Sequence, residues 1–517
     1  MSVHHIGALA ICLYEQMSIV IKSKHFPSEV CLPAIALKIC MKSIVNPFIC
    51  CLLLAVLGGC ATRPVNPPID AVDLNKGYRY KNSTEYSKEK TPDTLVVLAF
   101  SGGGTRAAAF SYGVLETLRD IQFTNKQGKR VRALDEVDLI SGVSGGSFTA
   151  LAYGLYGEKL FDTYESDFLK RDVQGEIVGR VMNPFNWGDL ASTGWGRSEL
   201  AAQYYDEILF HGATFDDLQK SGGPFILTTA TDISTGAGFA FTQLFYDNLC
   251  STVGPMNLSR AAAASSAVPL VLSPVTMNNY GGSCVYKRPG FIDPFVNEAT
   301  APRPAARLIK QMQEMDYYHD GKDNPYIHLV DGGVSDNLGI RGVLESLEGL
   351  EAMRLAGLPT PLDYVKRIVV VVVNSLSSPK TDWNQSENGP GSIELLLKAT
   401  GVPIDHYSYE EIESLKDTQA RWKSMSILRN SKLFAHNKNP QLEKIVNTPD
   451  IDLYVVDVSF KMLKDKQEYE YLNNLPTSFS LPPEAVDRLR AAAKKIILAS
   501  PDFQKVMQDT GVRDIQY

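Results

Sequence analysis

Unbroken apolar runs alternate with helical periodicities through most of the chain. The earliest clear run spans 94–100 (TLVVLAF), the pattern of a strand buried on both faces of a parallel sheet. Ser101-Gly102-Gly103-Gly104 ends it. Ala107, Phe110, Val114 and Leu118 then recur at three- and four-residue spacing, the period of a helix with one buried side. Residues 137–141 (VDLIS) predict a second strand, stopped by Gly142 and followed by a small-residue helix through Ala150 and Ala152. Further strands are expected at 225–229, 326–330, 367–374 and 453–458, and the third of these, RIVVVVVN, reads as a central strand. A helix is expected from Pro482 to about Ala499, whereas residues 376 to about 450 are polar and weakly patterned and predict no element. Strands alternating with helices imply an α/β fold, a three-layer α/β/α sandwich around a largely parallel central sheet.

Composition narrows this only a little. Of 517 residues, 44% are hydrophobic and 21% charged, an ordinary globular balance, and the net charge of −7 argues against nucleic acid as a partner. No repeat, low-complexity tract or zinc-like Cys/His spacing is present.

The N-terminus changes the picture more. From Cys50 to Cys60 the chain reads CCLLLAVLGGC, an apolar stretch of about ten residues, half of what a spanning helix needs. Its end, Leu57-Gly58-Gly59-Cys60, resembles the lipobox of bacterial lipoproteins, in which the cysteine thiol carries the lipid. Met41-Lys42 followed by this stretch has the length of a signal peptide, so translation is expected to begin at Met41. The expected organisation is a signal region at 1–59, a lipidated N-terminus and Pro-containing linker at 60–93, a body at 94–345, and a C-terminal region at 346–517 that completes the sheet and adds an extension. Six of the eight cysteines (Cys12, Cys31, Cys40, Cys50, Cys51, Cys60) fall at or before the lipobox. Cys250 and Cys284 remain in the body, either as a disulfide or as two buried thiols.

Three constellations sit at predicted strand ends, where open parallel sheets place their sites. Gly142-Val143-Ser144-Gly145-Gly146 lies between strand and helix. There a G-x-S-x-G makes a nucleophile elbow, its glycines allowing the sharp turn that exposes the serine oxygen. Ser101-Gly102-Gly103-Gly104-Thr105-Arg106 opens the first helix. Its consecutive glycines can aim N–H groups at one point, and it lacks the lysine and hydroxyl of a phosphate loop. With a serine elbow downstream, an oxyanion hole formed with Gly102, Gly103, Gly104 and Arg106 is the better reading. Asp331-Gly332-Gly333 follows a strand and presents a carboxylate on a compact backbone, although Asp-Gly alone is a common turn.

Taken in order, G-G-G-x-R, G-x-S-x-G and D-G-G resemble the patatin-like phospholipases over roughly residues 94–345. Ala230-Thr231-Asp232 and the run from Ala264 to Pro269 (ASSAVP) also fit. One departure is Ala107, where that family usually has glycine after the basic residue. The resemblance implies a lipid acyl hydrolase with Ser144 as nucleophile and Asp331 as proton acceptor. It implies no histidine, metal or other cofactor, an acyl-enzyme intermediate, and membrane lipids as substrate. Arg106 would shape its loop or meet a head-group phosphate. A Ser-His-Asp arrangement would instead require His406 or His436, and a lipid-binding lipoprotein without turnover is the alternative from a different class. With Ala61 after Cys60, the expected location is the outer membrane, with the domain in the periplasm.

Overall fold

The computed structural model describes residues 61–81, 93–125, 128–360, 362–381, 383–385, 387, 389–432, 439 and 450–517. Cys60, the signal region with Met41, and His436 lie outside the described residues. Residues Thr62–Tyr517 form one compact unit.

Eleven strands are described: β1 Thr94–Phe100, β2 Gln122–Thr124, β3 Arg130–Arg132, β4 Leu139–Val143, β5 Phe225–Asp232, β6 Gly238–Ala240, β7 Val275–Asn278, β8 Tyr326–Asp331, β9 Arg367–Asn374, β10 Asp452–Ser459 and β11 Arg513–Gln516. The main sheet runs β10-β9-β1-β4-β5-β8-β7, with β6 on β5, while β11, β2 and β3 form a small separate sheet. The five strands from β10 to β5 are parallel. β8 runs antiparallel to β5 and to β7. The helices that bear on the site are α1 Gly104–Asp120, α2 Gly145–Tyr156, α3 Val173–Met182, α4 Arg197–Tyr205, α5 Leu258–Ser265, α6 Arg341–Leu355, α7 Ser392–Arg429 and α8 Pro483–Ala499. Among the described residues, no helix is long and apolar enough to cross a membrane.

Side-chain alternation along the strands builds both faces of the sheet. Leu98 and Phe100 of β1, with Val369 and Val371 of β9, pack into the core that holds Phe110 of α1, Leu151 of α2 and Leu489 and Ile496 of α8. Val97 and Ala99, with Val370 and Val372, face Leu344 and Leu347 of α6 and Ile412, Leu415 and Trp422 of α7. Burial on both sides is why the valine run is continuous rather than alternating. The result is the three-layer α/β/α sandwich.

Three differences from the sequence pattern have plain causes. The second strand begins at Leu139, not Val137, and continues through Gly142 to Val143, because Val143 still pairs with Thr229. The stretch 376–450 contains α7, a 38-residue helix with Pro403 inside it. Only a few of its residues are apolar and core-facing, so its periodicity is diluted. The supposed linker is not free over residues 62–81. Asn66 donates to Ser251 Oγ at 2.8 Å, and isolated bridges join Pro68 to Ser251 and Ala71 to Val285. Tyr78 is fully buried, and its hydroxyl both accepts from Ile226 N (2.8 Å) and donates to Ile226 O (3.0 Å). Cys250 and Cys284 form a disulfide beside this strap, and Ile69 N donates to Cys250 O.

Candidate active site

β5 acts as a ruler for the site. Its residues Phe225 to Thr229 pair with β4, so that Val143 lies opposite Thr229. The next residue, Ala230, pairs with Asp331 of β8. Consecutive positions on one strand therefore bring Ser144, just past β4, level with Asp331. β8 is antiparallel and overlaps β5 only at Ala230–Asp232, so its own C-terminal end meets the carboxyl end of β5.

The Ser144 hydroxyl donates to Asp331 Oδ2 at 2.9 Å. Ser144 has φ 49° and ψ −121°, a left-handed backbone costly for a residue with a side chain, on the order of 1–3 kcal/mol. That conformation is held from several sides. Ser144 N donates to Ser265 Oγ at 2.9 Å, Ser147 Oγ donates to Ser144 O, and α2 begins at Gly145. Asp331 is held as firmly: Gly333 N donates to Oδ1 at 2.8 Å, and Asp331 N donates to Ala267 O at 3.0 Å. Thus the 264–269 run supplies a partner to each member of the pair.

Ser144 and Asp331 are 5% and 7% exposed. Burial raises the Asp331 carboxyl from its ordinary value to about 6, although the bonds from Gly333 and Ser144 pull the other way. A base with a higher pKa accepts a proton more readily and is still ionised at neutral pH.

The glycine loop lies against the elbow. A Cβ on Gly145 would come 2.0 Å from Gly104 O, and one on Gly102 would come 3.3 Å from Ser144 Cβ. Gly103 and Gly104 have φ 138° and 60°, open to glycine at little cost. Their N–H groups have no acceptor among the described residues, and they stand at the start of α1, where the dipole favours negative charge. Gly102 departs from the expectation: its N–H is spent on Asn337 O at 2.9 Å.

Arg106 departs too. It is 2% exposed, and its guanidinium donates to Ser375 O (2.7 Å), Leu475 O (2.9 Å) and Thr477 Oγ1 (3.1 Å). Burial lowers its pKa to about 10. It ties the glycine loop to the segments after β9 and before α8, and is not placed to meet a head group in solvent. Asp232 is a turn residue, accepting from Ser234 N and Tyr318 Oη. His406 is exposed on α7, and the Ser144–Asp331 contact is direct, with no imidazole between them. Ser265 falls in the 264–269 run that the sequence singled out, but its bond to Ser144 N, like the supporting roles of Asn337 and Ser375, acts across more than 100 residues of chain and no local pattern revealed it. Among the described residues no group of His, Cys, Asp and Glu is arranged to hold a metal ion.

Fold and site together place this domain among three-layer α/β proteins that carry a serine on a strand-to-helix elbow. Residues 98–344 match the family model described as patatin-like phospholipase, so the chain carries a patatin-like phospholipase domain. No curated protein matches the chain. Among solved structures it is similar to human GIVD cytosolic phospholipase A2, at 12% identity and TM-score 0.40, covering 83% of this chain and 62% of that one. It is also similar to VipD from Legionella pneumophila, at 12% identity and TM-score 0.26, covering 81% and 67%. The chain thus spans 62% of the length of the human phospholipase, and likenesses this distant add nothing to the family match.

Proposed function

We propose that the protein cleaves fatty-acyl esters of membrane phospholipids with Ser144 and Asp331 as a two-residue catalytic unit. The observation that carries this reading is the direct 2.9 Å bond from the Ser144 hydroxyl to a buried carboxylate. Ser144 Oγ attacks the ester carbonyl carbon while its proton passes to Asp331 Oδ2. The N–H groups of Gly103 and Gly104, at the head of α1, face the negative charge on the carbonyl oxygen. Asp331 returns the proton to the departing alcohol, leaving a fatty acyl group on Ser144. Asp331 then takes a proton from a water molecule, which attacks the acyl carbonyl. The fatty acid leaves, and Ser144 recovers its proton. Each step needs only the ionised carboxylate, the hydroxyl and water.

The proposal extends to location. A lipid on Cys60 would anchor the protein in the bacterial cell envelope, with the outer membrane the favoured site and the domain in the periplasm. The lipobox-like run that ends at Cys60 supports this.

The test is labelling of the full chain with a fluorescent fluorophosphonate, beside Ser144→Ala. Labelling of the wild type alone is expected. Equal labelling of both, or of neither in the presence of phospholipid vesicles, would remove the serine from the chemistry and favour a lipid-binding protein without turnover.

A further inference from the structure

We infer that the exposed apolar face made by Val178, Met182, Phe185, Trp187, Leu270 and Val271 seats on the surface of a phospholipid bilayer. The inference rests on the lipid acyl hydrolase reading above and names the surface through which it meets its substrate.

α3 is apolar on two sides. Val173 and Ile177 are buried against the domain, while Val178 and Met182 point away from it into solvent. A globular helix normally turns polar residues outward. The turn that follows continues the exposed side, with Phe185 93% and Trp187 57% exposed. This turn is internally bonded: Trp187 Nε1 donates to Val181 O (3.2 Å), Phe185 N to Asn183 Oδ1 (3.1 Å) and Asn186 Nδ2 to Arg180 O (2.8 Å). With those polar groups satisfied from within, the turn offers ring surface outward.

Leu270 and Val271 supply the second part, both 58% exposed, with Leu270 at φ 73°. An unfavourable backbone there holds a large apolar side chain in water. The two parts are linked through α4, since Arg180 of α3 stacks over Tyr204 of α4 at 4.6 Å from the ring centre. Ser198 N, at the start of α4, donates to Ser273 Oγ at 3.1 Å, and Gly196 packs on the same side chain. Buried Arg260 and Glu199 pair at 2.8 Å and lock α5 to α4.

The face flanks the catalytic pair on two sides. Leu270 follows three residues after Ala267, whose carbonyl accepts from Asp331 N. Gln174 at the start of α3 accepts from Ser478 Oγ, and Ser478 O accepts from Thr105 N beside the glycine loop.

A bilayer is the occupant that fits because of where the chain comes from. Arg63 donates to Thr276 O at 3.2 Å, and Gly194, in the segment after Trp187, packs on its side chain. Cys60 is three residues earlier in the chain. A lipid on Cys60 would tether the domain to a membrane and bring its apolar surfaces within reach of the bilayer. An exposed tryptophan and phenylalanine among aliphatic residues are the side chains that settle at the boundary of head groups and acyl chains.

The experiment uses the full chain carrying Ser144→Ala, reconstituted in phosphatidylcholine vesicles with brominated acyl chains. Tryptophan fluorescence is expected to be quenched, and Trp187→Phe should abolish most of that quenching. Equal quenching with and without Trp187, or none, overturns the proposal. In the catalytically intact chain, the pair Phe185→Ser and Trp187→Ser should lower phospholipid hydrolysis on vesicles about tenfold or more, given the apolar area removed. Hydrolysis of a short-chain water-soluble ester should be unchanged, which also shows that the variant is folded. Equal rates on vesicles overturn the proposal. So does sedimentation showing a wild-type dimer that the double substitution dissociates, since the face would then join two copies. A chain with no hydrolysis of either substrate defeats the catalytic reading, while the quenching result still decides the surface.

Discussion

The floor around Ser144 and the rim formed by α3 and residues 268–273 are built on opposite rules. On the floor, backbones touch and polar groups are matched: Ser144 N meets Ser265 Oγ, Asp331 Oδ1 meets Gly333 N, and Gly145 lies against the Gly104 carbonyl. On the rim, large apolar side chains stand in solvent, and Gly179 of α3 has nothing within 4 Å of where its Cβ would be. Tight packing holds a strained serine and a buried carboxylate in register. An uncovered apolar rim costs solvation in water and regains it when another apolar surface covers it. On the two readings proposed above, one region serves chemistry and the other meets lipid, and substitutions in each should fail differently.

The largest effect belongs to the floor. Ser144→Ala should lower turnover of every ester at least ~10³-fold, on vesicles and on soluble substrates alike. A residual rate on soluble ester near that of the wild type would end the comparison, since the chemistry would lie elsewhere.

Asp331→Asn should cost activity by about 10²–10⁴-fold. Wild-type kcat/KM should fall as pH drops through about 6, roughly tenfold per unit below it, because the base is then protonated. The same shift acts on stability in the opposite sense. The folded carboxyl titrates at about 6 against 3.8 unperturbed, so between those values the folded protein holds more proton than the unfolded chain. This group's contribution therefore falls as pH rises from about 4 to 6 and stays low above, by at most ~3 kcal/mol. Asp331→Asn should accordingly melt higher than wild type at pH 8, with the gain shrinking towards pH 4. An unchanged melting temperature at pH 8 would mean that the carboxylate is better solvated than its burial implies.

Two glycine substitutions sharpen the contrast. Gly145→Ala sets a methyl group 2.0 Å from a backbone oxygen. It should destabilise by ~1–3 kcal/mol and abolish activity with the elbow displaced, read by thermal melting and by loss of fluorophosphonate labelling. Gly179→Ala meets open space within α3 and should stabilise by about 0.5–1 kcal/mol with soluble-ester activity intact.

The strap lies between these extremes. Replacing Cys250 and Cys284 together by serine should lower stability by about 3–4 kcal/mol, since their sequence separation is 34 residues. Soluble-ester turnover at 25 °C should stay near wild type, because neither cysteine bonds to the Ser144–Asp331 pair. A matching loss of turnover would show that the strap supports the floor as well.

Much of this protein was legible in local sequence. The runs TLVVLAF and RIVVVVVN could only be buried central strands, because apolar side chains on both faces require helices on both faces. The order of the three glycine-rich motifs, through the family they resemble, pointed to Ser144 and Asp331, which the fold brings within 2.9 Å of each other. Tertiary structure decided the rest. The antiparallel course of β8 depends on pairing with β5, which aligns Ala230 with Asp331 across about a hundred residues. The pKa of Asp331 is set by how much water its neighbours exclude. Arg106 was visible as a charge in a loop, but its commitment to three partners follows from segments some 270 to 370 residues away. The helix α7 drew too little apolar periodicity to be seen, and strap residues 62–81 read as linker because their bonds are long-range. The apolar rim left no motif at all. Local residue chemistry prescribes turns and strands within a few residues of itself, whereas register, burial and which apolar side chains stay uncovered are properties of the assembled layers.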